Sequence, residues 1–164
     1  MKTASPLQVV TLAHLSRSQS ERVTPYEIMT EINQIFALID TPYSPGAFYP
    51  AIKNLSKSKM ININHSGCRI EPAGTAYLED ILLHHPLPGS LTGILYRVIA
   101  ANISANSKLR TEAIKRIDIE LIKFDQIEST TSSNKGQHNQ ALSIVRQDIA
   151  NCIRRLILNL RGKK

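Results

Sequence analysis

The stretch SPGAFYPAIKNLSKSKMI, Ser44 to Ile61, decides how the chain is read. From Ala47 onward its apolar residues fall at helical spacing, with Phe48, Ile52 and Leu55 three or four apart on one stripe. Gly46, Pro50, Lys53 and Lys57 lie roughly opposite that stripe on a helical wheel. Three lysines and no acid occupy the stretch, together with two prolines. An interior proline costs about 3 kcal/mol, because it removes a donor and clashes with the carbonyl four residues back. Two solutions follow. Either the regular helix begins near Gly46 and holds Pro50 in its first turn, or the turn is distorted. Both leave a slim amino-terminal end with backbone N–H groups uncovered.

Upstream, Leu7, Val10, Leu12, Ala13 and Leu15 predict a short helix ending near Arg17, followed by a polar turn from Ser18 to Arg22. Thr24-Pro25-Tyr26-Glu27 then reads as a capping box, with Thr at the N-cap, Pro at N1 and Glu at N3. The helix it opens carries Ile28, Ile32, Ile35 and Ile39, and Asp40-Thr41-Pro42-Tyr43 closes it. Ser44-Pro45 repeats the start signal for a third helix. Downstream, Met60 to Asn64 alternates apolar and polar residues as a half-buried strand does. His65-Ser66-Gly67 makes a tight loop, and Cys68-Arg69-Ile70 returns as the partner strand. Pro72 opens a further helix through Tyr77, Leu78, Ile81 and Leu82. Three helices, a short hairpin and a helix is the order of the winged helix-turn-helix, whose third helix enters the DNA major groove.

All eight prolines fall at or before Pro88, so the junction is set at His85 to Gly89, dividing the chain into domains 1–85 and 86–164. The second part reads as helix: Leu91 to Ile103, a break near Asn106-Ser107, then Ile114, Ile117, Leu121 and Phe124 stepping by three and four. Ser129 to Gln137 is a loop, after which Leu142, Val145, Ile149, Cys152, Leu156 and Leu160 resume the rhythm. Such stripes predict two antiparallel helices with a buried seam. Two helices bury little by themselves, so the seam is expected to extend to a second copy of the chain. The expected fold is mainly α: an amino-terminal winged helix-turn-helix domain with a short β-hairpin, then a helical dimerisation region.

The 164 residues carry a formal charge of +7. Residues 1–88 hold seven basic and seven acidic groups, whereas residues 89–164 hold thirteen and six. Within the neutral half, Lys53, Lys57, Lys59 and Arg69 stand in a run from Thr41 to Ile70 that contains no acid. A local basic stretch points to an anionic partner more sharply than the total does. No stretch approaches the roughly 20 apolar residues of a membrane span, and no secretion signal is visible. Cys68 and Cys152 match no metal-ligand spacing and are expected as reduced thiols in a cytoplasmic protein. His84-His85 lacks a third metal ligand at useful spacing; imidazoles satisfying a helix C-terminus explain the pair better. No phosphate-cradling glycine loop or nucleophile elbow appears. Neither an enzyme nor a cofactor is expected.

Tyr26-Glu27-Ile28, and then Ser44, Gly46, Phe48, Tyr49, Pro50, Ala51, Ile52 and Leu55, resemble two helical motifs of the PadR-like transcriptional regulators. Gly74 in RIEPAGTAYLEDIL is similar to the opening of that family's fourth helix. The likeness covers about residues 7–84, and beyond them it is one of kind only, since the family commonly appends dimerising helices. Pro25 replaces the usual glycine, Ala47 the usual threonine, and the hairpin loop is shorter than the family's basic wing. The resemblance implies a homodimer on a pseudo-palindromic duplex, with repression as the expected sense, activation left open, and an unidentified small-molecule effector possible. On that reading Ser44, the amides near Gly46 and Ala47, and Tyr49 hold phosphates. Lys53 and Lys57 reach phosphates or a guanine edge, Thr24 and Tyr26 hold the flanking strand, and His65 and Arg69 act from the wing. The competing class is a winged-helix module that binds protein, or mainly dimerises, without specific DNA binding.

Overall fold

The computed structural model describes residues 5–18, 21–36, 42–86, 91–131 and 151. Four helices of the first half begin on a proline: α1 (Pro6–Arg17), α2 (Pro25–Phe36), α3 (Pro45–Lys57) and α4 (Pro72–Leu83). A proline at the first helical position gives up an N–H that no intrahelical carbonyl could accept, and its fixed φ suits the helix. Ser5 caps α1 through a box with Gln8, accepting from its N–H at 3.3 Å while the Gln8 side chain accepts from the Ser5 N–H at 3.0 Å. The expected box at α2 forms as well. The Glu27 N–H donates to Thr24 Oγ1 at 3.2 Å, and Glu27 Oε2 accepts from the Thr24 N–H at 2.8 Å.

α1 is the centre of the molecule. Leu7 and Val9 through Ser16 are buried on every side of it, the condition of a helix enclosed by its neighbours rather than lying on a surface. α2, α3, β2, α4 and α5 all touch it. Its buried hydroxyls are satisfied within the helix, Thr11 donating to the Leu7 carbonyl at 2.8 Å and Ser16 to the Ala13 carbonyl at 2.7 Å. His14, only 4% exposed, reaches Glu31 on α2 through Nδ1 at 3.6 Å. Its Nε2 is buried with no hydrogen-bond partner.

The hairpin pairs β1 (Ile61–Asn64) with β2 (Gly67–Ile70), antiparallel, with Ile61 opposite Ile70 and Ile63 opposite Cys68. Val23, just before α2, adds a bridge on the other side: its N–H donates to the Cys68 carbonyl at 3.1 Å and its carbonyl accepts from the Cys68 N–H at 2.8 Å. Arg22 braces the same corner, donating to Asn62 Oδ1 at 3.1 Å and to the Gly67 carbonyl at 3.2 Å. Gly67 has φ +121°, and a side chain there would press on the Val23 carbonyl. Cys68 is a free, buried thiol whose pKa burial pushes up.

α5 (Leu91–Ile103) and α6 (Ser107–Thr131) follow. Asn106 opens α6 by accepting from the Leu109 N–H at 3.0 Å, and the helix runs through Ser129 to Thr131, a segment expected as loop. Ile94, Val98, Ala101, Leu109, Ile114 and Ile117 join one continuous core with α1 and α4. The described second half therefore completes the core that the first half begins. Ile114 and Ile117, expected in a seam between chains, are 4% and 0% exposed within the single chain. Leu121 and Phe124 lie on α6, whereas Leu142, Val145, Ile149, Cys152, Leu156 and Leu160 lie outside the described residues.

The C-terminal end of α4 is held by two guanidinium groups. Arg97 of α5 donates to the carbonyls of Ile81, of His85 at 3.3 Å and of Pro86 at 3.2 Å. Arg116 of α6 donates to those of Leu82 at 3.2 Å and His85 at 2.6 Å. Cations suit this end of a helix dipole. Imidazoles were expected here; instead the His85 ring meets Asp80 at 3.0 Å while the arginines take the carbonyls. Burial, and then the neighbouring Arg116 charge, lower the pKa of Arg97.

Two measurements test this packing. A Cβ at Gly74, in the first turn of α4, would overlap the Met60 carbonyl and meet Ile70 Cγ1 at 3.0 Å. Gly74→Ala is expected to lose about 1–3 kcal/mol in urea denaturation. Burial lowers the pKa of His14 below 6.5, Glu31 opposing and Arg17 assisting. The unfolded chain then binds the extra proton, so stability is full above pH 6.5 and falls as pH drops from 6.5 towards the folded-state pKa. His14→Leu should flatten that limb in urea titrations at stepped pH.

Candidate nucleic-acid interface

α3 begins where Ser44-Pro45 signals it. Ser44 is the N-cap, its side chain accepting from the Ala47 N–H at 3.3 Å, and the first helical residue is Pro45. Pro50 consequently sits inside the helix, beyond the first turn, so the first of the two expected solutions, with Pro50 in that turn, does not hold. The residue four back is Gly46, exposed and without a Cβ, so the carbonyl that Pro50 leaves without a donor can reach water. The Gly46 N–H, at the second helical position, meets no acceptor among the described residues.

The helix divides cleanly into two faces. Phe48, Ile52 and Leu55 are buried. Ser44, Pro45, Gly46, Ala47, Tyr49, Pro50, Lys53, Asn54 and Lys57 are exposed. Tyr49 is 45% exposed and its ring meets Phe48 edge-on, with centroids 5.8 Å apart. The exposed face thus carries cations, hydroxyls and an amide, and no acid.

Asn33 of α2 sets the entry to this helix. Its Nδ2 donates to the Tyr43 carbonyl at 3.0 Å and its Oδ1 accepts from the Tyr43 N–H at 2.8 Å. One side chain therefore holds both polar groups of the backbone just before the N-cap. Nothing in the sequence distinguishes Asn33 from any polar residue on a helix, because its partner lies ten positions away.

The far end of α3 closes with a left-handed turn. Lys59 has φ +57°, its N–H donates to the Ser56 carbonyl at 2.9 Å, and the Met60 N–H donates to the Leu55 carbonyl at 3.0 Å. This is a Schellman ending, in which the left-handed position usually belongs to glycine. A side chain there costs roughly 1–2 kcal/mol. The turn is fixed from outside as well, since the Met60 carbonyl accepts from the Glu71 N–H at 2.9 Å and Gly74 packs against it.

The remaining candidates differ in how free they are. Tyr26, at the start of α2, is 66% exposed. Thr24 is exposed, but its hydroxyl donates to Glu27 Oε2 at 2.8 Å, and that bond is the main cause of the lowered Glu27 pKa. A phosphate approaching Thr24 would meet this carboxylate. His65 is exposed at the hairpin turn, whose backbone is tightened by Ser66 donating to Asn64 Oδ1 at 2.9 Å. Arg69 is exposed and lies 3.7 Å from Glu71, a weak exposed pair. Among the described residues, no group of three or more His, Cys, Asp or Glu could hold a metal ion, and no helix is long and apolar enough to cross a membrane. Compared with known protein families and with curated proteins, the chain matches none.

Asn33→Ala should lose about 1–3 kcal/mol in urea denaturation, since two hydrogen bonds vanish at about 0.5–1.5 kcal/mol each.

Proposed function

We propose that the chain is a winged-helix transcriptional regulator of the PadR-like kind, binding double-stranded DNA as a homodimer and acting as a repressor. The observation that carries this reading is the exposed face of α3, with Lys53, Lys57, Tyr49 and the capping Ser44 lying in an acid-free run. The element order supports it: two successive helices, with Asn33 of the first bonded to the Tyr43 backbone ahead of the second, a hairpin directly after the second, and a Val23 bridge tying that hairpin to the front of α2.

On this reading α3 enters the major groove. Lys53 and Lys57 contact phosphates or a guanine edge, while Ser44, the Gly46 N–H and Tyr49 hold the backbone at the amino-terminal end. Tyr26 flanks the site, and His65 follows the adjacent backbone from the hairpin. Thr24 and Arg69 rank below these, because Glu27 and Glu71 already engage them. Dimerisation is assigned to the second half. Ile119, 54% exposed on α6, and the apolar repeat from Leu142 to Leu160 support it. A dimer would set two α3 helices about 34 Å apart, one turn of duplex.

The test is the salt dependence of duplex binding. Lys53→Ala and Lys57→Ala should each flatten the slope of log K against log salt by about 0.9 for every chain bound. Slopes equal to wild type would remove α3 from the groove, and failure to retain the wild-type protein on a duplex column at low salt would favour a protein-binding module.

A further inference from the structure

Lys59 is the one non-glycine residue with positive φ among the described residues. The turn it occupies would be more stable with glycine, so the fold does not account for the lysine. The side chain is exposed, forms no ion pair among the described residues, and stands in the acid-free run that also holds Lys53 and Lys57. Its nearest acidic neighbour along the chain, Glu71, is paired with Arg69. A cation near the C-terminus of a helix does favour the dipole, but Lys57 in the last turn of α3 already supplies one.

We infer that Lys59 is a further phosphate-binding lysine on duplex DNA, presented by the left-handed turn at the seam between α3 and the hairpin. This rests on the DNA-binding reading above and extends its surface past the end of the helix. Backbone held in a sparsely populated region gathers at functional sites, because the surrounding structure must enforce it. Here that enforcement is the paired Schellman bonds together with the Met60 carbonyl locked against α4. A lysine in such a turn has a fixed backbone beneath it, so its ammonium samples less space than one at a fraying helix end.

The experiment uses the full chain and a fluorescently labelled mixed-sequence duplex about three helical turns long, titrated at several salt concentrations beside thermal melts. Lys59→Gly should melt higher by about 2–8 °C. It should also bind roughly 5–10-fold more weakly at 0.1 M salt, with the slope flattened by about 0.9 per chain. Lys59→Arg should restore slope and affinity without the thermal gain. Gain in stability and loss of binding from one substitution is a pair that a structural role cannot produce. Wild-type slope and affinity in Lys59→Gly, while Lys53→Ala and Lys57→Ala flatten theirs, would overturn the inference alone. Wild-type slopes in all three variants would overturn the DNA-binding reading and this inference with it.

Discussion

Burying α1 on all sides is the constraint on which the other elements depend. A helix without a solvated face must find partners around its whole circumference, and α2, α3, α4, α5 and β2 supply them. The orientation of α3 follows from this. Phe48, Ile52 and Leu55 are drawn into the shared core, and the residues opposite are left to water. The same enclosure explains why Thr11 and Ser16 turn back onto carbonyls of their own helix, and why the pKa of His14 is lowered. It also explains why α5 is inseparable from the first half. The core does not stop at the proline-marked junction, because α1 needs a cover there.

Much of the fold was legible because its signals are local. Each cap sits within three residues of the proline it precedes, apolar stripes repeat within one helix, and the hairpin shows as alternation on both sides of a short turn. α5 runs over the expected Leu91–Ile103 for the same reason. What was hidden depends on distance along the chain. Arg22 meets Asn62 across 40 residues, and Arg116 meets Leu82 across 34. Neither pairing leaves a mark in spacing or composition. The start of α3 was legible in Ser44-Pro45, and only the place of Pro50, left between two solutions, waited for the structure.

Net charge does not say which cations face outward. The second half holds the whole formal excess of +7. Yet Arg97 and Arg116 are turned onto backbone carbonyls of α4, and Arg110 donates to the Ser104 carbonyl at 3.1 Å. A guanidinium can cap a helix while keeping its charge, since it carries five donors and no acceptor. These three arginines therefore hold the molecule together, as Arg22 does at the hairpin, whereas Lys53, Lys57, Lys59 and Arg69 are exposed, as are Lys108 and Lys115. In the candidate site, exposure and freedom from carboxylates separate Lys53 and Lys57 from Thr24 and Arg69, a distinction that residue type alone could not make.

α4 is gripped at both extremities, by a glycine pressed on the Met60 carbonyl at one end and by two guanidinium forks at the other. Its 12 residues make a strut about 18 Å long. One fastening is a steric seat and the other a set of directional bonds. Through this single strut the arginines of α5 and α6 and the junction between α3 and the hairpin are tied to one and the same rod.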